Sequence, residues 1–260
     1  MPLDTLSTYA QTHLRIDGRR WNELRLLTCA VSTQPSSDGS SLFTMGNTMV
    51  VCTVTGPRES SRGASRDNTQ STVETEITIA PFATTDRRKR PRNDKRLLEL
   101  QTTISSAFQA HLYTHIYPRS TISIALHVLS LDGSLLAACL NAASLALVDA
   151  GIPMPSVLSA VTSGVIVDPD RDDATAEGVL DLNNAEENEL PFLTVGTVKA
   201  VDDGDGGEDK VSVCMMETRV PGSRLELMLA TAVDGCRVVR GRMEAEVRQQ
   251  GIKVLKGQSG

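Results

Sequence analysis

From residue 134 to residue 148 the chain reads Ser-Leu-Leu-Ala-Ala-Cys-Leu-Asn-Ala-Ala-Ser-Leu-Ala-Leu-Val, apolar or small at nearly every position. A helix of that composition has no water-facing side, so other elements must wrap it. Ser134 is placed to cap its start, and Gly151 with Pro153 just beyond it marks its end. The helix opens after Asp132-Gly133, where free N–H groups and the positive end of the dipole face outward. That tip is either a plain capped terminus of a core helix or a place for an anion.

Other patterns surround this helix. Residues 41–45 and 48–55 are short β-branched or apolar runs joined by Gly46-Asn47, a hairpin signal, and Gly56-Pro57 is expected to stop the second run. Val73, Thr75, Ile77 and Ile79 alternate with Glu74, Glu76 and Thr78, which predicts a strand with one wet face. From Asp94, apolar positions 97, 100, 104 and 107/108, with His111 next in register, follow a helical period to about Tyr113. Ile122, Ile124, Leu126 and Val128 mark another strand over 120–130. Residues 157–167, 179–182, 192–201 and 210–217 read as strands, and 221–250 as a long helix. Strands followed by helices, twice over, predict an α/β (α+β) chain of two related β-rich halves with packed helices. The expected division is an arm at 1–14, halves at 15–151 and 152–250, and a tail at 251–260.

Composition narrows the picture. Aromatic residues make up only 3% of the chain, so the core must come from Ala, Val, Leu, Ile and Met. A net charge of −6 argues against a simple basic DNA-coating protein. Against that background Arg87, Arg88, Lys89, Arg90, Arg92, Lys95 and Arg96 stand out. Lys95 and Arg96 fall at the positive end of a helix, where cations are mildly unfavourable, which points to a ligand such as RNA or another polyanion. A solvated loop or a nuclear-import signal are the plain alternatives. Five cysteines sit singly with no Cys-x-x-Cys spacing and are expected to be reduced, buried thiols. The first 14 residues hold no long apolar run, so neither a secretory signal nor a membrane anchor is expected.

No motif for a metal or cofactor emerges. The acidic loop at 202–209 has Gly207 where a third calcium ligand would stand and Cys214 in place of the closing Glu. The four histidines form no His-Glu-x-x-His pair, and no Walker loop, dinucleotide fingerprint or Gly-x-Ser-x-Gly elbow is present. Asp181, Glu186, Glu187 and Glu189 form a carboxylate cluster. It could hold magnesium or act in acid–base chemistry, but acids beside a loop are expected to be solvated.

Several motifs in order then resemble one family. They are Arg15-Ile-Asp-Gly-Arg-Arg with Asn22-Glu-Leu-Arg25, Asp38-Gly-Ser-Ser-Leu, Gly46-Asn-Thr, and Gly56-Pro-Arg-Glu59. Tyr117-Pro-Arg-Ser120 and Asn141-Ala-Ala-Ser-Leu-Ala-Leu-Val-Asp-Ala-Gly-Ile-Pro-Met154 complete the set. Together, over about residues 15–250, they resemble the RNase PH family, and within it the eukaryotic exosome ring subunits that correspond to the catalytic chain of the archaeal exosome. The resemblance implies the RNase PH fold, of the ribosomal protein S5 domain 2-like kind. It also implies a hetero-hexamer of RNase PH-type ring subunits around an RNA channel. Cap subunits with S1 or KH domains, hydrolytic 3′–5′ exoribonucleases, and residence in nucleus, nucleolus and cytoplasm come with it, while no cofactor and no membrane do.

Active members of that family phosphorolyse RNA: inorganic phosphate attacks the 3′-terminal phosphodiester. The resemblance places an Arg of the phosphate site where this chain has Leu136, and the paired aspartates near Glu187 and near Leu193. An aliphatic side chain cannot bind phosphate, so a non-catalytic, RNA-binding subunit is expected. Lys95 and Arg96 match the family's basic pair, with Arg87–Arg92, Arg62 and Arg66 as further RNA contacts. The alternative is an active phosphate-dependent 3′–5′ exoribonuclease in which Arg119, or an Arg across a subunit interface, replaces the missing cation.

Overall fold

The computed structural model describes residues 9, 12–59, 69–87, 94–166, 177–200 and 209–258. Strands β1 (Leu27–Val31), β2 (Gly39–Met45), β3 (Thr48–Glu59), β4 (Thr72–Ile79) and β5 (Ser120–Ser130) form one sheet in the order β1-β2-β3-β5-β4. Strands β6 (Ser159–Ile166), β7 (Glu177–Leu180), β8 (Phe192–Lys199) and β9 (Asp209–Met216) form a second, ordered β7-β6-β8-β9. All neighbours are antiparallel except β4 and β5, which run parallel and are bridged by helix α1 (Lys95–His111). A parallel pair requires such a crossover.

The apolar segment is helix α2 (Leu135–Asp149), packed on β2 and β3 of the first sheet and on β6 of the second. Every residue from Leu136 to Leu147 is buried, as an all-apolar circumference demands. Its few polar side chains are satisfied locally. Asn141 bonds the Ala160 carbonyl at 2.9 Å and the Ala160 N–H at 2.7 Å, and the Ser144 hydroxyl accepts from Leu158 N–H. A Cβ at Gly39 would lie 2.3 Å from the Ala146 carbonyl oxygen, so only glycine lets β2 approach α2 this closely. Beyond the helix, Gly151 N–H bonds Val148 and Ile152 N–H bonds Leu147, the paired bonds of a Schellman stop.

Three expectations are revised. Strand β3 does not stop at Gly56-Pro57: its ladder with β5 breaks between Thr55 and Arg58 and resumes to Glu59. Proline cannot donate to the ladder, so the pair is accommodated as an irregularity rather than an end. The last helix, α4 (Gly222–Gln258), runs past Gly251 although residues 251–256 are exposed; a glycine inside a helix costs only about 1 kcal/mol, too little to end it. Cys214 is exposed because β9 is an edge strand, whereas Cys52, Cys139 and Cys236 are buried and all five thiols are free. Among the described residues no helix is long and apolar enough to cross a membrane.

Candidate functional site

The site is built at the tip of α2. Ser134 occupies the N-cap position in the left-handed region, φ 54°, and does not cap the helix with its side chain. Its hydroxyl instead donates to the Leu182 carbonyl at 2.9 Å and lies 3.2 Å from Asp181 Oδ1. Its backbone N–H donates to Glu187 Oε1 at 2.5 Å. A carboxylate of the chain itself therefore takes the position that an anion would occupy at this terminus. Gly133 makes this contact available: at φ +76°, a Cβ would sit 2.7 Å from the Leu182 carbonyl oxygen and the Asn183 carbonyl carbon.

Glu187 is carried by a short helix, α3 (Asn184–Glu189), absent from the sequence-based expectation. Asn183 and Glu186 start it with a reciprocal capping box. Asn183-x-x-Glu186 was the available signal, but the segment is too short to show a helical period.

The acids were expected to be solvated, and two of them are not. Asp181 and Glu186 are wholly buried against arginines from the N-terminal segment. Arg15 forks onto Glu186, with its Nε 2.7 Å from Oε1, and Arg25 Nη2 meets Asp181 Oδ1 at 2.6 Å. Arg25 N–H adds a bond to Asp181 Oδ2 at 2.8 Å, and Arg15 also donates to the Leu180 and Asp181 carbonyls. Charges leave water only when paired and bonded in this way. Sequence reading missed these roles because ion pairs 156 and 171 residues apart leave no local pattern.

In front of the tip lies a cleft of about 390 Å³, bounded among others by Arg96, Leu135, Leu136, Asn184, Glu187 and Glu217. Leu136 is buried in its wall. Arg96 stands in the first turn of α1, its guanidinium 3.5 Å from Glu217 and mostly exposed. Asp94 caps that turn, accepting from Arg96 N–H at 3.3 Å, and no acid follows within the turn. Lys95 and Arg87 are exposed. Arg62, Arg66, Arg88, Lys89, Arg90 and Arg92, with residues 202–208 of the acidic loop, lie outside the described residues.

Leu193 does not face the cleft. It is buried beneath β8 with Val165, Val195, Met228 and Ala232, while its neighbours Phe192 and Thr194 line the cleft wall. Strand alternation turns residue 193 away from the chemistry, so its apolar character is a packing requirement. Arg119 precedes β5 at the end opposite Leu131, which puts it about 35 Å along the strand from the cleft. Arg119 of this same chain therefore lies too far away to place a cation beside Leu136. Among the described residues no group of three or more His, Cys, Asp or Glu is arranged for a metal.

Residues 23–153 match the RNase PH model, described as the 3′ exoribonuclease family, domain 1. The chain belongs to the RNase PH family. It is 34% identical to "Exosome complex component SKI6" of Saccharomyces cerevisiae, over 99% of both chains. With "Exosome complex component RRP41 homolog" of Arabidopsis thaliana it shares 37% identity, over 94% of this chain and 95% of that one. Against "Exosome complex component RRP41" of Homo sapiens the figure is 33%, over 90% and 91%. The structure of rice (Oryza sativa) Rrp46 superposes with a TM-score of 0.76 at 24% identity, covering 90% of this chain and 100% of that one, and shares the fold.

In this RNase PH chain, burial pushes the Glu187 carboxyl above the ordinary glutamate value; the Ser134 N–H and the charges of Arg25 and Arg96 pull it part of the way back. Folding then favours the protonated form. Its contribution to stability is largest below the ordinary value and falls as pH rises toward the raised one. Glu187→Gln is expected to flatten that slope in urea unfolding midpoints as pH rises from below the ordinary glutamate value. A slope untouched by the substitution would contradict the assignment.

Proposed function

We propose that this chain is a non-catalytic, RNA-binding ring subunit of the exosome core. In this reading it pairs with other RNase PH-type subunits beneath S1 or KH cap subunits. It guides RNA through the ring to an associated hydrolytic 3′–5′ exoribonuclease, for processing and degradation. The observation that carries the reading is the occupied tip of α2: Glu187 holds the Ser134 N–H, with aliphatic Leu136 in the cleft wall. Phosphorolysis needs an anion to bind there and cations to hold it. A half-buried carboxylate at the cleft repels phosphate, and no arginine stands beside it on α2.

What remains at the cleft suits RNA without turnover. Lys95 and Arg96 begin α1 at the end of its dipole that disfavours cations, and both are exposed. Cations held against local preference fit the sequence-independent electrostatic contact that a threaded phosphate backbone makes. Membership of the exosome is supported by relatives that carry this name across fungi, a plant and a mammal at 33–37% identity.

The reading is tested by assembling the chain with its ring partners and crosslinking single-stranded RNA long enough to traverse the ring. Crosslinks to the first turn of α1 are expected. A ring that threads RNA with none to this chain would leave it a scaffold and contradict the RNA-contact role.

A further inference from the structure

We propose that Phe82 is a stacking platform for one base of single-stranded RNA at the rim of the cleft, an inference that rests on the RNA-guiding function above. In a chain with so few aromatics, Phe43 and Phe108 are fully buried, whereas Phe82 is 68% exposed. That exposure comes from a fixed backbone. Ala83 N–H bonds the Ala80 carbonyl at 3.0 Å, closing a tight turn with Pro81 in its second position and Phe82 in its third. Both arms of the turn are tied down: Ala80 N–H bonds Val128 at 3.0 Å, and Leu131 N–H bonds the Ala83 carbonyl at 2.9 Å. Ala83 itself is buried in the main core. The turn therefore points one small side chain inward and one large aromatic outward.

The place gives that ring its use. Leu131, bonded to the residue beside Phe82, lines the same cleft as Arg96. Arg87, five residues further on, is exposed, as is Lys95. A fixed aromatic face close in the chain to one exposed cation, and tied through Ala83 and Leu131 to the cleft that holds another, suits a single strand, with the base stacked and the phosphates paired to charge. A protein partner instead uses an aromatic set within a wider apolar patch. Around Phe82 the exposed chain neighbours Thr85, Asp86 and Arg87 are polar, leaving Pro81 as its apolar companion.

The test uses the assembled ring carrying wild-type chain, Phe82→Ala, Phe82→Tyr or Arg96→Ala, with a labelled single-stranded oligouridylate. Phe82→Ala is expected to weaken binding about tenfold, the loss of one stacked base, and Phe82→Tyr to keep it. Stacking releases no counterion, so the slope of log affinity on log salt should stay unchanged in Phe82→Ala and fall in Arg96→Ala. Crosslinks from 5-iodouridine should map to Phe82. Unchanged affinity in Phe82→Ala, with the Arg96→Ala effect present, would overturn the stacking role alone. Failure of Phe82→Ala to enter the ring would identify Phe82 as a protein contact and overturn it as well. Absence of any Arg96 effect on RNA would remove the RNA-guiding reading, and the stacking role with it.

Discussion

Asp181→Ala is expected to cost about 3–5 kcal/mol of stability, the penalty for leaving a buried charge without its partner. Asp181 accepts from the Arg25 backbone and guanidinium and lies within reach of the Ser134 hydroxyl, with no solvent exposure. Removing it strands the buried Arg25 and the tip of α2 together. Asp181 also holds φ 53°, a left-handed conformation that Asp tolerates better than Ala. Asp181→Asn keeps the shape and part of the bonding and should lose less. As a reference, Arg248→Ala removes an exposed (i, i+4) pair with Glu244 and should cost no more than about 0.5 kcal/mol. Urea unfolding of the three variants measures the differences. A loss in Asp181→Ala as small as that of Arg248→Ala would mean the Arg25–Asp181 pair does not hold the N-terminal segment to the end of β7.

Lys95→Glu with Arg96→Glu is expected to separate RNA binding from folding in opposite directions. Each lysine or arginine contact with a single-stranded phosphate contributes about 0.7 to the salt slope, so losing two should lower its magnitude by about 1.4. Affinity at low salt should fall steeply, because reversal adds repulsion to the lost attraction. The fold should not suffer. Both residues sit in the first turn of α1, which carries no acid, and a carboxylate there is favoured by about 0.3–1 kcal/mol. Lys95→Glu alone should therefore raise thermal stability, while Arg96→Glu also gives up the exposed contact with Glu217. A variant that binds RNA as tightly as the wild type, measured in the assembled ring, would show that these cations are ordinary surface charge.

Much of the architecture was legible where one element imposes one period. The alternation of Val73, Ile77 and Ile79 with glutamates and Thr78 is the burial pattern of β4. The all-apolar run ending at Gly151 is α2, with both sheets packed around it. The candidate site was legible only in part. Leu136 and Glu187 do meet at one cleft, but Leu193 does not join them, because a position near a strand end fixes the residue and not its face. The buried partners of Asp181 and Glu186 lie more than 150 residues away in sequence, so neither spacing nor charge runs could reveal them. Ser134 has the identity of a cap and not the function, since Glu187 reaches its N–H from a separate helix.

That reassignment of the α2 terminus is the central claim, and inorganic phosphate tests it most directly. The ring is assembled with this chain and without its hydrolytic nuclease, then given labelled RNA and phosphate. With Glu187 on the Ser134 N–H and Leu136 in the wall, no nucleoside diphosphate should be released at any phosphate concentration. Phosphate-dependent release of nucleoside diphosphate that is lost on substitution of residues in this cleft would contradict the account.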